Sequence, residues 1–214
     1  MAEISWRNEY PGILIEDRSG VSFVFKTRQA LDKIASGSIG KNLLSILSKR
    51  HQGIGTSKGK RIVITLGQGT LTGPSSMQLT AQSSTGAGNE VRRAPMAGTN
   101  VRLPGSGMGS NVHYNPNIEH QYTQAATVKT PPFVALAHEL IHALHSISGD
   151  VVKPYSWTNG TVISSCGAIL EEARTVGLGI YSNIRICENA IRREHGLPER
   201  TFYSANGDCD NLHK

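Results

Sequence analysis

Thr130-Pro131-Pro132-Phe133-Val134-Ala135-Leu136-Ala137-His138-Glu139-Leu140-Ile141-His142-Ala143-Leu144-His145 is the stretch around which the rest of the chain is read. Pro131 follows a threonine suited to capping a helix N-terminus, and proline at a first helical position forfeits no intrahelical bond. A helix is therefore predicted to start at Thr130. Phe133, Val134, Leu136, Ala137, Leu140, Ile141 and Leu144 give it apolar contacts over three turns, and Ser148-Gly149-Asp150 supplies a C′ glycine to end it. His138, Glu139, His142 and His145 are set into this apolar helix.

Residues four apart stand one above the other on a helix, so His138 and His142 present their rings to one point. That point suits zinc, which binds imidazole at ~2.0–2.1 Å and, in catalytic sites, takes three protein ligands and leaves a fourth position open. Glu139, next to the first ligand, is placed to act on the water rather than on the ion, as general base in peptide-bond hydrolysis. Two imidazoles and a carboxylate could instead be core polar groups, but burying them on one apolar helix is costly without a charge partner.

His145 lies two turns from His138, ~10 Å along the axis, too far to share one tetrahedral ion, and is read as supporting the ligands or packing. A metzincin would need glycine at position 145 and histidine at position 148; His145 and Ser148 exclude it. The third ligand is sought downstream, where 169–177 looks helical with an inward stripe of Leu170, Ala173, Val176 and Ile180. At about 100° per residue only one of Glu171 and Glu172 can face the metal. A glutamate donated by a following helix is the gluzincin arrangement.

The 214 residues suffice for one domain with a substantial core. The formal net charge of +6 is spread as isolated doublets such as Arg92-Arg93 and Arg192-Arg193, with no basic run interleaved with aromatics, so no nucleic-acid partner is expected. Cys166, Cys187 and Cys209 are widely spaced and form no C-x-x-C unit, which points to a reducing compartment. No run approaches the ~18 apolar residues of a membrane span, and no secretory h-region follows Met1, so neither a membrane partner nor a cleaved signal is expected.

Gly12 to Phe25 reads as a hairpin about an Asp-Arg-Ser-Gly turn; 28–35 and 41–49 read as two helices, and Arg61 to Leu66 as a strand. From Gly67 to Ser110 the chain turns to Gly, Ser, Thr and Gln and is expected to be mostly loop, including a flexible Gly105-Ser106-Gly107-Met108-Gly109 turn. Asn111 to Pro116 is a short strand stopped by proline. Its Val112, His113 and Tyr114 are the candidate edge for an extended peptide substrate, with an ordinary edge strand as the alternative. Ile184, Cys187, Ala190 and Ile191 line a further amphipathic stretch, with Glu188 and Arg192 at i,i+4.

His-Glu-Leu-Ile-His-Ala-Leu-His at 138–145 followed by Leu-Glu-Glu-Ala-Arg-Thr-Val-Gly at 170–177 resembles the zinc site of clostridial neurotoxin light chains, in which the second glutamate of E-E-x-R-T-x-G is the third ligand. The resemblance implies that Glu172 is the ligand and that Glu171 stands behind it. Arg200-Thr201-Phe202-Tyr203 is similar to a light-chain Arg-x-x-Tyr element, which implies an oxyanion-stabilising role for Arg200 and Tyr203. As a whole, from Gly12 to Tyr203, the chain resembles the NleD-like family of type III secreted effectors. That resemblance implies a zinc endopeptidase secreted by a bacterium into the host cell cytoplasm, where relatives cut mitogen-activated protein kinases in the activation loop.

The resulting expectation is an α+β, zincin (gluzincin)-like single domain over 12–206, between an N-terminal segment 1–11 and a tail 207–214, with a small sheet and a central HExxH helix. It holds one Zn²⁺ through His138, His142 and Glu172, uses Glu139 as catalyst, and works as a monomer on a host protein, a MAP kinase. Two alternatives are a polymorphic-toxin protease with another target and a basic binding module with structural zinc. A structural site would be closed by four ligands, usually including cysteine.

Overall fold

The computed structural model describes residues 3–17, 20–51, 60–67, 79–80, 92–95, 102–104, 107, 109–117, 120–122, 128–151, 157–158, 161–162 and 171–201. In chain order the strands are β1 (Glu3–Ser5), β2 (Ile13–Glu16), β3 (Ile62–Leu66), β4 (Leu79–Thr80), β5 (Arg92–Pro95), β6 (Arg102–Pro104), β7 (Ser110–Tyr114), β8 (His120–Tyr122), β9 (Val128–Thr130), β10 (Trp157–Thr158) and β11 (Thr161–Val162). The helices are α1 (Val21–Ala35), α2 (Ser38–His51), α3 (Pro132–Ile147), α4 (171–176) and α5 (Glu188–Glu194), with a 3₁₀ turn at Gly179–Tyr181.

Five strands form the principal sheet in the order β1-β2-β3-β7-β4. β2, β3 and β7 run parallel, with Ile13 opposite Ile62 and Ile64 opposite Val112, while β1 and β4 pair antiparallel at the edges. Alternation decides which face is covered: Ile62, Ile64, Ser110, Val112 and Tyr114 are buried, whereas Val63, Thr65, Asn111 and His113 are only partly so. The β2 to β3 connection is the helical pair α1–α2, as a parallel pair requires. Phe23, Thr27, Ala30, Leu31 and Ile34 form the buried stripe of α1, and Leu43, Leu44 and Leu47 that of α2.

α3 packs into the same core, where Leu136, Ala137, Leu140 and Ile141 meet Ile64, Val112, Leu31 and Leu47. Full burial of each of the larger side chains, Leu136, Leu140 and Ile141, contributes about 1.5–3 kcal/mol, so the helix that carries the histidines is firmly anchored. Its C-terminal end is pinned by the chain entering β7: Gly107 has φ 79°, and a Cβ there would fall 2.0 Å from the Ile147 carbonyl oxygen. The N-terminus of α2 is capped by Glu194 of α5, whose carboxylate accepts from the Ile39 and Gly40 N–H groups at 2.7 and 2.9 Å.

Three sequence expectations change. Val21 to Phe25 is the first turn of α1, not the second strand of a hairpin; the apolar spacing continues at Thr27, Ala30, Leu31 and Ile34, a helical period, after a turn at Gly20 with φ 87°. Thr130 ends β9 and does not cap α3, whose N-cap is Pro131; the Thr130 hydroxyl is bonded to Arg192 instead. β7 is an interior strand, bonded to β3 along its length and to β4 at Asn111 and Val112, with Val112 and Tyr114 buried. Of the expected substrate edge Val112, His113 and Tyr114, Val112 is thus covered by Leu79 and is not a free edge position, and the His113 ring sits 3.1 Å from the Thr65 hydroxyl. The expected tail 207–214 and most of the 105–109 turn lie outside the described residues.

Candidate metal centre

On α3 the side chains at 138, 142 and 145 follow one another down one face, and His138, Glu139, His142 and His145 are all buried, each 5–8% exposed. The His138 and His142 rings stand edge to face with centroids 4.8 Å apart and Nε2 atoms separated by 3.2 Å. Glu172 Oε2, from α4, lies 3.0 Å from His138 Nε2 and 3.1 Å from His142 Nε2. These three atoms form a nearly equilateral triangle. Bonds of ~2.0–2.1 Å to a tetrahedral ion would separate ligand atoms by roughly 3.3 Å, so the triangle has the size of one face of a zinc tetrahedron. The Glu172 side chain is 22% exposed against about 10% for the imidazoles, so solvent approaches from its side.

Each imidazole spends its other nitrogen on a carboxylate. His138 Nδ1 lies 2.8 Å from Glu188 Oε2, and His142 Nδ1 lies 3.2 Å from both Glu171 Oε1 and the Thr175 hydroxyl. A carboxylate behind a ligating histidine fixes the tautomer that leaves Nε2 free for a metal. Glu171 and Glu172, about 100° apart on α4, thus grip opposite nitrogens of His142. His145 Nδ1 donates to Glu171 Oε1 at 2.5 Å. His142, His145 and Glu171 also converge closely enough to hold an ion. Serving both clusters would take both ring nitrogens of His142 as ligands, an imidazolate; the second cluster is better described as a hydrogen-bonded support for the first.

The charges agree with a cation at the triangle. Burial pulls the His138 ring down, but Glu172 and Glu188 overcome it and hold it up at about 9. For His142, burial is likewise outweighed by Glu171 and Glu172, with a contribution from Glu139, and the ring rises to about 10. Burial would raise the carboxyls of Glu171 and Glu188, yet their histidine partners, and for Glu188 also Arg200 and Arg192, bring each down to about 2. Glu172, despite its burial, is held well below the usual carboxylate range by His138 and His142. The cluster calls for two positive charges, supplied by two protons or by one dication. Two protonated Nε2 atoms at 3.2 Å repel each other, whereas a dication is bound by both lone pairs. The donor set fits zinc.

Behind His138 lies a network that sequence reading saw only in part. Arg192 Nε donates to Glu188 Oε1 at 2.6 Å and Arg200 Nη1 to Glu188 Oε2 at 2.9 Å. Arg192 also reaches the Lys129 and Pro198 carbonyls, at 3.2 and 3.3 Å, and the Thr130 hydroxyl. Asn189 clamps residue 200 through paired bonds of 2.8 Å to its N–H and C=O. Arg200 is 2% exposed, with its guanidinium engaged behind His138, which argues against the oxyanion role expected of it. Tyr203 lies outside the described residues. Glu188 could have been found in the sequence: it falls between Cys187 and Ile191 on the apolar face of its helix, an expensive place for a lone carboxylate.

Two further contacts set α4 against α3. Arg174 donates to the Asp150 carbonyl and carboxylate at 2.5 and 2.6 Å, tying α4 to the end of α3. Gly177 closes α4 with φ 86°, and a Cβ there would meet Cys187 Sγ at 2.5 Å. The arginine and glycine of the Glu-Glu-x-Arg-Thr-x-Gly stretch therefore position the helix that carries Glu172.

An α+β fold in which a His-Glu-x-x-His helix packs on a small mixed sheet is of the zincin class. Residues 13–203 match the Peptidase M91 family, described as effector protein, and the chain belongs to that family. Among solved structures it is similar to the catalytic domain of Clostridium botulinum neurotoxin serotype F (20% identity, TM-score 0.44, 76% of this chain and 43% of that one). It is also similar to the botulinum neurotoxin type D light chain (16%, 0.44, 70% and 41%) and the type G light chain (12%, 0.46, 94% and 68%). The chain spans less than half the length of the serotype F and type D chains. No curated protein matches it. Among the described residues no helix is long and apolar enough to cross a membrane.

Proposed function

We propose that the protein is a zinc-dependent endopeptidase that acts as a bacterial effector on a host protein. The observation that carries this reading is the convergence of His138 Nε2, His142 Nε2 and Glu172 Oε2 within 3.2 Å of one another, beside Glu139, in a member of a peptidase effector family. His138, His142 and Glu172 hold the metal. A zinc ion bound there would supply Lewis acidity, making a water acidic enough to attack and polarising the scissile carbonyl. Glu139 takes the proton of the attacking water and passes it to the leaving amine. Glu188 and Glu171 hold the two imidazoles in the ligating tautomer, with Arg192, Arg200 and His145 fixing those carboxylates in turn.

Three converging donors among the described residues, none of them cysteine, favour a catalytic site with an open position over a closed structural one. The resemblance to NleD-like effectors supports a mitogen-activated protein kinase activation loop as the substrate and the host cytoplasm as the place of action. The test is to incubate the protein with host-cell lysate and sequence newly formed N-termini, with Glu139→Gln as control. New termini inside a kinase activation loop are expected. Cuts in other proteins would move the reading to a different target, and no cuts by zinc-loaded protein would end it.

A further inference from the structure

On the far side of α5 from the metal centre lies an open groove of about 500 Å³, lined by Ile39, Ile184, Arg185, Ala190, Arg193 and Glu194 among others. Its size is that of a site for a few side chains. At about 100° per residue, Ala190, Arg193 and Glu194 fall roughly 200°, 140° and 240° around the helix from Glu188, the residue that holds His138. One face of a two-turn helix therefore supports the metal ligands while the opposite face lines the groove.

The groove pairs an aliphatic floor with a cationic rim. Ile39, Ile184 and Ala190 are the floor. The Glu194 carboxylate is turned to the start of α2, where both its oxygens accept N–H groups and the positive end of that helix offsets part of its charge. Arg193 is bonded to Glu199 at 2.9 and 3.0 Å, but both side chains are exposed, and an exposed pair is readily exchanged for another carboxylate. Arg185 is exposed and has no carboxylate partner among the described residues. Among the described residues no aromatic side chain lines the groove to stack a base, which disfavours single-stranded nucleic acid.

We infer that this groove is a second docking site for the protein substrate, taking a segment that carries an aliphatic side chain beside acidic ones. The identity of the occupant as substrate rests on the endopeptidase reading. A helix with side chains is ~10–12 Å across, so half its circumference is about 17 Å, or roughly five residues of extended chain. Only a substrate extending well beyond the scissile bond reaches from the metal centre to Arg185.

The test uses Arg185→Glu in the full-length, zinc-loaded protein, with melting temperature as the folding control. A fluorescein-labelled peptide of about ten alternating Glu and Leu residues, titrated by anisotropy, should bind the parent and lose roughly tenfold or more in affinity with the variant. The same change should raise KM about tenfold for the lysate protein that is cut, leave its kcat unchanged, and leave cleavage of an eight-residue peptide centred on the scissile bond unaffected. Equal probe binding by parent and variant overturns the proposal, as does equal loss on the short peptide. If Arg185→Glu abolishes co-sedimentation with anionic vesicles but spares the probe, the groove serves a membrane surface and the proposal is wrong. Should the protein cut nothing, the endopeptidase reading fails, and the probe titration alone decides whether the groove binds an acidic, aliphatic segment.

Discussion

Glu188 is the residue whose removal distinguishes a built metal centre from a chance cluster of polar groups. It is fully buried, and its two oxygens carry His138, Arg192 and Arg200 at 2.6–2.9 Å. Truncation strands two buried guanidiniums, and breaking a buried pair in this way costs about 3–5 kcal/mol. That is a large share of the roughly 5–15 kcal/mol by which a domain is folded, so Glu188→Ala is expected to unfold readily. Glu188→Gln keeps the volume and one acceptor while losing the charge, and is the informative variant. Urea unfolding should show it destabilised by about 2–4 kcal/mol, and zinc competition against a chelator should show a roughly 10–100-fold loss of affinity, the usual result of removing a carboxylate behind a ligating histidine. Adding Arg192→Met should restore part of the stability but none of the zinc affinity, because an apolar group relieves the unpaired charge without re-orienting His138. If Glu188→Gln unfolds within about 1 kcal/mol of the parent and binds zinc as tightly, the network does not hold the metal ligand and the positioning role of Glu188 is refuted.

Glu172→Ala should abolish stoichiometric zinc, whereas Glu171→Ala should retain it with affinity reduced about 10–100-fold; equal metal content by elemental analysis in the two variants at equal dilution would reverse the assignment. Glu139→Gln should keep zinc and melting temperature but lose cleavage, and activity near the parent's in a metal-replete sample would remove Glu139 from the general-base role. Because Glu172 and Glu188 raise His138, and Glu171 and Glu172 raise His142, zinc binding at pH 7 should displace more protons than two ordinary imidazoles would release, and affinity should climb as pH rises through and above neutrality. Calorimetry in buffers of different ionisation enthalpy counts those protons, and a release of about half a proton would mean that both rings have ordinary basicity.

What could be read from the chain alone was what local geometry determines. An i,i+4 pair of histidines on an apolar helix converges on one point whatever surrounds it, and the β-branched run at Ile62–Leu66 forms a strand by its own preference. The Glu188–Arg192 pair likewise followed from helical spacing, and its ion pair is present at 2.6 Å. Contacts between distant segments could not be read in the same way. Gly12 to Phe25 looked like a hairpin because short apolar runs about a turn suit either state, and it is the packing of Phe23, Thr27 and Leu31 against the core that makes the second half helical. β7 looked like an edge because strand order is invisible in sequence; a two-residue partner at Leu79–Thr80 places it inside the sheet. Period alone could not say which of Glu171 and Glu172 meets which ring nitrogen, since both reach His142 and only the approach of α4 to α3, set by Arg174 on Asp150 and by Gly177 against Cys187, gives Oε2 of Glu172 to the Nε2 pair. Arg200 moved from an expected place in front of the ligands to one behind them for the same reason. A charged side chain goes where folding leaves a buried charge to neutralise, and the charge of Glu188 lies 12 residues away in sequence but only 2.9 Å away in space.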